Sequence, residues 1–143
     1  MVMRLPPTVS PDTEFFWNGL RNHTLLIQRC VDCGQLRQPP RPMCPHCTSL
    51  QWDTVAASGR GTVHSYVMPQ YPPMPFMEYP YIVALVDLEE GVRLVSNLID
   101  IAPDAVEVGM PVEVCYVTFS VVSPVASLAQ GEGLVLHQFH PAS

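Results

Sequence analysis

The sequence predicts a mainly β protein: an N-terminal helix, a four-cysteine ribbon and a small C-terminal antiparallel barrel. Three observations predict it. Two Cys-x-x-Cys pairs, Cys30/Cys33 and Cys44/Cys47, stand ten residues apart. Five or six short strand patterns with hairpin signals fill the roughly 90 residues after Trp52. A capped-helix pattern precedes the cysteines. With 143 residues, one domain plus a small module is expected. The expected units are residues 1–26 (helix and strand lead-in), 27–52 (ribbon) and 53–143 (barrel).

The helix is read from "SPDTEFFWNGLRN". Ser10 suits the N-cap, Pro11 the first helical position, and Asp12 and Glu14 the positive end of the dipole. Phe15, Phe16 and Trp17 are consecutive, and at about 100° per residue they cannot all face one core. Either one of them meets another surface, which makes Phe15 and Trp17 candidates for a partner or acyl contact, or the ribbon folds back over them.

A short strand, "TLLIQRC", leads into "CVDCGQLRQPPRPMCPHC". Each Cys-x-x-Cys places two sulfurs on one tight turn, within reach of a metal at about 2.3 Å, and two such knuckles complete a tetrahedron. "QPPRP" between them turns readily. Disulfides are disfavoured without a secretion signal, and a redox Cys-x-x-Cys usually occurs singly. The expected ion is structural Zn2+ on Cys30, Cys33, Cys44 and Cys47, with iron as the rival for the same ligand set. Four protein ligands leave no position for substrate, so no catalytic role is expected at the site. His46 reads as an exposed loop residue and Cys115 as an ordinary strand thiol.

The barrel strands are read from "SGRGTVHSYVM", "YPYIVALVDL", "VRLVSNLID", "MPVEVCYVTF" and "GLVLHQF", with "EEG" as a tight turn. "APDAVEVG" is a turn or one-turn helix after the third barrel strand, which suits a five-stranded OB-fold; an SH3-like barrel is the alternative. "MPQYPPMPFMEYP" holds five prolines and cannot be a central strand. Its apolar Tyr71, Met74 and Phe76 either contact a partner or an acyl group, or pack across the barrel mouth. "SVVSPVASLAQGEG" reads as a long hairpin connection.

Charge narrows the function. Residues 1–60 carry six arginines against four acids, whereas residues 61–143 carry Arg93 alone against nine acids. A phosphate-backbone binder needs many cations, so a nucleic-acid-binding ribbon and barrel is disfavoured. A self-contained enzyme is also disfavoured: His64, Asp87, His137 and His140 form no visible nucleophile–base pattern, and His137 and His140 lie near an expected frayed terminus. Charged residues are only 14% of the chain, which leaves a surface apolar enough to be partly covered by a partner. No apolar run approaches the ~20 residues of a membrane helix, and "MVMRLPPTVS" lacks the apolar stretch of a signal peptide, so a cytoplasmic protein is expected.

In order, "FFWNGL", "LLIQRC", the paired knuckles with "PPRPMCPHC", "GRGTVHSY", "YPYIVALVDLEEGVRLVSNL", "VGMPVEV" and "LHQFHP" resemble the acyl-CoA-associated family of rubredoxin-like zinc ribbon plus OB-fold proteins, domain-of-unknown-function family thirty-five. The resemblance covers residues 12–141 and departs from the family's usual end in the longer, less charged stretch from "VTFSVV" to "LHQF". It implies an N-terminal helix, a rubredoxin-like zinc ribbon and a five-stranded OB barrel. It also implies a non-catalytic accessory subunit in a hetero-oligomer with a thiolase-like enzyme (sterol-carrier-type thiolase, aldolase or acyltransferase) or with a hot-dog-fold enoyl-CoA hydratase. Such subunits support chemistry on acyl-CoA thioesters. In that reading Arg37, Arg41 and Arg60 are candidates for a CoA phosphate, because guanidinium binds phosphate bidentately. The competing reading makes them solvated charges, partners of nearby acids, or cations drawn to the dianionic metal–tetrathiolate unit.

Overall fold

The structure is a computed structural model and describes residues 3–74, 77–121 and 133–143. In chain order the elements are β1 (Met3–Arg4), α1 (Glu14–Arg21), β2 (Leu26–Cys30), β3 (Leu36–Arg37), β4 (Trp52–Ala56), β5 (Arg60–Val67), β6 (Ile82–Leu88), β7 (Arg93–Leu98), a one-turn 3-10 helix (Pro103–Ala105), β8 (Pro111–Val121) and β9 (Leu134–Pro141).

Helix α1 begins later than its sequence suggests. Thr13, not Ser10, holds the N-cap position, because Pro11 and Asp12 form a turn instead of the first helical turn. Ser10 still serves the helix end, since its carbonyl accepts the N–H groups of Thr13 and Glu14 at 3.0 and 2.9 Å. The helix stops at His23, whose φ of 54° is left-handed. Phe16 and Leu20, one turn apart, face the core with Gly19. A Cβ on Gly19 would lie 2.9 Å from the Thr24 carbonyl, so the small residue lets the chain double back into β2.

Strands β3, β2 and β4 form a three-stranded antiparallel ribbon sheet. All five residues of β4 pair with β2, so the expected boundary between 52 and 53 falls inside a strand.

Strands β5 to β9 close into a five-stranded barrel. The antiparallel pairs are β5–β6, β6–β7, β5–β8 and β8–β9, and a single parallel pairing, Leu98 opposite Phe139, joins β7 to β9. With the 3-10 helix between the third and fourth barrel strands, this is the OB arrangement and not the SH3-like alternative. Alternation dictates it: Ile82, Ala84, Val86 and Leu88 point inward from β6 while Val83, Leu85 and Asp87 point outward. Gly91, at φ 95°, makes the turn between β6 and β7. Strand β1, which the sequence does not announce, adds in parallel to β8. Residues 122–132 of the expected long hairpin connection, and Phe76 of the proline-rich loop, lie outside the described residues.

One core serves all three parts. Phe16 and Leu20 of α1, with Leu25 and Ile27 from the ribbon side, join Val63, Val86, Val112 and Phe139 of the barrel. The ribbon also reaches back to the helix, where Phe15 packs on Trp52 with ring centroids 5.0 Å apart. His23 stacks on Tyr116 of β8, 5.1 Å away and 11° from parallel. No helix among the described residues is long and apolar enough to cross a membrane.

At Gly61 β5 and β6 approach closely, since a Cβ there would lie 2.4 Å from the Asp87 carbonyl oxygen. Gly61→Ala is expected to destabilise the chain by about 1–3 kcal/mol through overpacking, read as a lower urea midpoint at unchanged slope.

Candidate metal centre and adjoining clefts

The two knuckles share one backbone design. Cys30 N–H donates to the Gln35 carbonyl and Gly34 N–H to the Cys30 carbonyl; Cys44 N–H donates to the Ser49 carbonyl and Thr48 N–H to the Cys44 carbonyl, all at 2.9 Å. The residue after each second cysteine is left-handed: Gly34 at φ 79° and Thr48 at φ 63°. This repeated turn points both sulfurs of a pair to the same place. The four Sγ atoms lie within 4.8 Å of one another, with Cys30–Cys47 at 3.5 Å and Cys33–Cys44 at 3.6 Å. A tetrahedron with metal–sulfur bonds of about 2.3 Å has edges of about 3.8 Å, so the cluster fits a four-coordinate structural metal. Its separations exceed the roughly 2.05 Å of a disulfide. The Cys33 backbone N–H, against the opposing effect of burial, brings the Cys30 thiol down to about 6. Cys44 shifts downward too, led by the Cys47 N–H. His46 is exposed and outside the cluster, and Cys115 is a half-buried strand thiol raised by burial.

The arginines separate sharply. Arg29 makes a double hydrogen bond to Asp53 at 2.8 and 2.7 Å and holds that carboxyl below the usual range. Arg60 pairs with Glu89 at 3.1 Å. Arg37, only 6% exposed, donates from Nε to Gln28 Oε1 at 3.0 Å and from Nη2 to the Arg41 carbonyl at 2.9 Å. Its Nη1 is buried without a partner among the described residues. Gln28, fully buried on β2, accepts the Arg41 N–H at 2.8 Å and donates to the Arg41 carbonyl at 2.9 Å, which pins the loop between the knuckles. Arg37 and Arg41, with Arg93 from the barrel, line a cleft of about 260 Å³ to which Arg60 does not contribute.

A larger, apolar cleft of about 500 Å³ adjoins it. Phe16 and Trp17 form one wall, Gln38, Pro39 and Pro40 another, and His137 of β9 lies in the floor. Gln38, Pro39 and Arg93 border both clefts. His137 is thus no frayed-end residue: β9 pairs along its length with β8, and burial holds its ring below the ordinary 6.5. Its Nε2 donates to the Val95 carbonyl at 3.3 Å. His64 is exposed and meets Asp87 at 3.1 Å, while Arg93 Nε donates to the same carboxylate. Of the other predicted contacts, Phe15 and Trp17 pack against the core cluster, Tyr71 is 87% exposed and Met74 lies at the surface. Tyr79, which sequence reading did not single out, ties the proline-rich loop by donating to the Pro72 carbonyl and accepting the Met74 N–H. Gln28, Gln38 and Arg93 stand in the quoted stretches "LLIQRC", "QPPRP" and "VRLVSNLID", but no local pattern marks their side chains for a role at the clefts.

A four-thiolate knuckle pair set between a helix and a closed OB barrel defines a zinc-ribbon and OB-fold protein. Two family models match in tandem: "ChsH2, rubredoxin-like zinc ribbon domain" over residues 17–53 and "ChsH2, C-terminal OB-fold domain" over residues 54–117. The chain belongs to this ChsH2-type family, whose relatives include DUF35 scaffold proteins. It is 52% identical over 110 residues to a probable enoyl-CoA hydratase alpha subunit of Thermomonospora curvata, covering 77% of this chain but spanning only 34% of that protein. A DUF35 domain-containing scaffold protein of Methanothermobacter thermautotrophicus is 36% identical, with 73% of this chain and 81% of that one covered. Benzoylsuccinyl-CoA thiolase subunit BbsA of Thauera aromatica is 31% identical, with 64% and 68% covered. Among solved structures, a chain of the Ltp2-ChsH2(DUF35) aldolase matches with a TM-score of 0.82 and 44% identity, covering 96% of this chain and 100% of that one.

Cys30→Ser or Cys44→Ser is expected to abolish metal retention, measured as equivalents per chain by mass spectrometry, and to lose the near-ultraviolet signal of the ribbon's Trp52. A metal-free variant that keeps that signal and its melting temperature would refute the structural role. A second expectation concerns pH. Because the folded-state value of His137 is depressed, the unfolded chain takes up the proton first. Its contribution is present above about 6.5 and is lost as pH falls through the folded value. Stability should therefore fall as pH drops below about 6.5, and less steeply in His137→Asn.

Proposed function

We propose that this chain is a non-catalytic accessory subunit of a thiolase-like enzyme acting on CoA thioesters. In this role Zn2+ on the four cysteines is a structural staple, and the Arg37/Arg41 cleft receives a phosphate of CoA. The observation that carries the reading is Arg37. A guanidinium buried to 6% exposure, with no acid on it and Nη1 unpartnered among the described residues, lines an open cleft beside exposed Arg41. Buried cations are normally paired, so an anion supplied from outside fits this arrangement. Arg60, held by Glu89, is the weakest of the three phosphate candidates.

The non-catalytic part rests on the hydrogen bonding of the histidines. Among the described residues no hydroxyl or thiol is hydrogen-bonded to His64, His137 or His140, whose partners are a carboxylate and two backbone carbonyls, so no nucleophile–base pair supports catalysis by this chain alone. The partner role is supported by the similarity to the thiolase subunit and the aldolase chain. Exposed Tyr71 and Met74 are the proposed contacts on this side. An enoyl-CoA hydratase is the second candidate partner, favoured by the 52% identity to a hydratase alpha subunit.

The tagged chain purified from its native cells is expected to bring down a thiolase-like enzyme in stoichiometric amount and to turn over no acyl-CoA alone. A hydratase in its place would select the second partner. Turnover by the isolated chain would refute the accessory role. Arg41→Glu should weaken acetyl-CoA binding about tenfold and flatten its salt dependence; unchanged affinity across ionic strengths would reject the phosphate contact.

A further inference from the structure

Arg4 is a cation that the two clefts do not use, since it lines neither of them. Strand β1 pairs in parallel with the end of β8, Arg4 opposite Val121, which brings this residue to the barrel end where β5 runs into the proline-rich loop. There the half-buried guanidinium lies over the Phe119 ring, 4.9 Å from its centroid. It donates from Nη1 to Met77 Sδ of the loop and from Nη2 to Asn97 Oδ1 of β7 at 3.4 Å. Asn97 is itself held, by donating to the Ile82 carbonyl at 3.0 Å and accepting from buried Gln138 at 3.5 Å. All of these partners are neutral. A thioether and a long amide bond replace lost water poorly, and burial pushes the Arg4 guanidinium below its ordinary value. Among the described residues no carboxylate pairs with Arg4, whereas Arg29, Arg60 and Arg93 each hold one.

The surroundings of this cation are apolar and fixed. Leu5, next in the chain, is exposed, as are Val67 at the end of β5 and Tyr71 and Met74 in the loop that follows. Tyr79 pins that loop through the Pro72 carbonyl and the Met74 N–H, and Arg4 pins it again through Met77. The apolar side chains are thus presented in place before a partner arrives, which lowers the cost of binding. One unpaired arginine ringed by Tyr, Met and Leu has the composition of an interface centre, where Arg, Tyr and Met are enriched. We infer that this end of the barrel is the surface on which the partner enzyme docks, and that a carboxylate side chain of that enzyme closes on Arg4. A single guanidinium among apolar groups matches one carboxylate flanked by apolar side chains, whereas a phosphate calls for more donors than Arg4 alone offers. This inference rests on the accessory-subunit reading above and deepens it, by assigning the contact residues and the charge of the surface that meets them.

The test exploits the absence of lysine from this chain. Arg4→Lys keeps the charge and gives the full chain a side-chain amine that it otherwise lacks. The complex of this variant with the enzyme that co-purifies with the wild-type chain is treated with a zero-length carbodiimide. That reagent joins an amine to a carboxylate only where the two touch, and mass spectrometry identifies the joined peptides. The expected product links position 4 to an aspartate or glutamate of the partner enzyme. A link to Glu78 or Glu132 of this chain overturns the inference, because the cation is then satisfied internally. So does an intact complex with no link at position 4. Arg4→Gln should weaken binding to the same enzyme about tenfold and reduce its salt dependence. Tyr71→Ala, at a side chain 87% exposed and outside the barrel strands, should weaken it about fivefold and reports on the same surface if Arg4→Gln folds poorly. Full affinity in either folded variant overturns the docking surface and leaves the accessory role standing. If the wild-type chain captures no enzyme, both readings fall.

Discussion

Four sulfur atoms within 4.8 Å of one another hold a ribbon whose strands are only five, two and five residues long. Sheets of this size bury too little to be stable alone. A metal across the sulfurs would close both knuckles at once, and each knuckle is already shaped for it by two backbone hydrogen bonds and a left-handed residue. Everything on the ribbon's inner side depends on that closure. Gln28 lies two residues before Cys30, and its amide fixes the loop carrying Arg41; that loop in turn roofs both clefts.

The helix transmits this order to the barrel. Its consecutive aromatic residues, which no single face can accommodate, are divided among three neighbours. Phe15 meets ribbon Trp52, Phe16 enters the shared core and contacts His137 edge-on at 5.4 Å, and Trp17 lies in the cleft wall. Of the two ways of covering them that the sequence leaves open, the structure shows the ribbon covering Phe15, while Trp17 lines the apolar cleft. An apolar triplet that looks excessive for an eight-residue helix is explained by its position between two modules.

The electrostatics follow the same division. Two carboxylates of the acidic barrel form local pairs, Glu89 with Arg60 and Asp87 with both Arg93 and His64, and Arg93 holds the Asp87 carboxyl below the usual range. Such exposed pairs contribute little to stability. Among the described residues this leaves Arg37 and Arg41 lining their cleft without an acidic partner, on the half of the chain that carries the positive excess.

The sequence by itself determined what is local. Cys-x-x-Cys spacing forces two sulfurs onto one turn, alternation forces β6 to bury every second residue, and Glu-Glu-Gly forces a reversal, so ribbon, barrel order and closing turn were legible. The start of α1 was misread because Pro11 and Asp12 are equally compatible with a turn, and β1 was missed because two residues carry no periodicity. Only the tertiary structure decided the clefts. Trp17, Gln38 and His137 are far apart in the chain and share no motif; barrel closure through a single parallel pairing of β7 with β9 brings the last of them under the helix. Arg37, an ordinary arginine in sequence, became a buried and incompletely paired cation because Gln28 and the Arg41 carbonyl fold over it. Such contacts depend on which faces meet, and local residue patterns do not encode that.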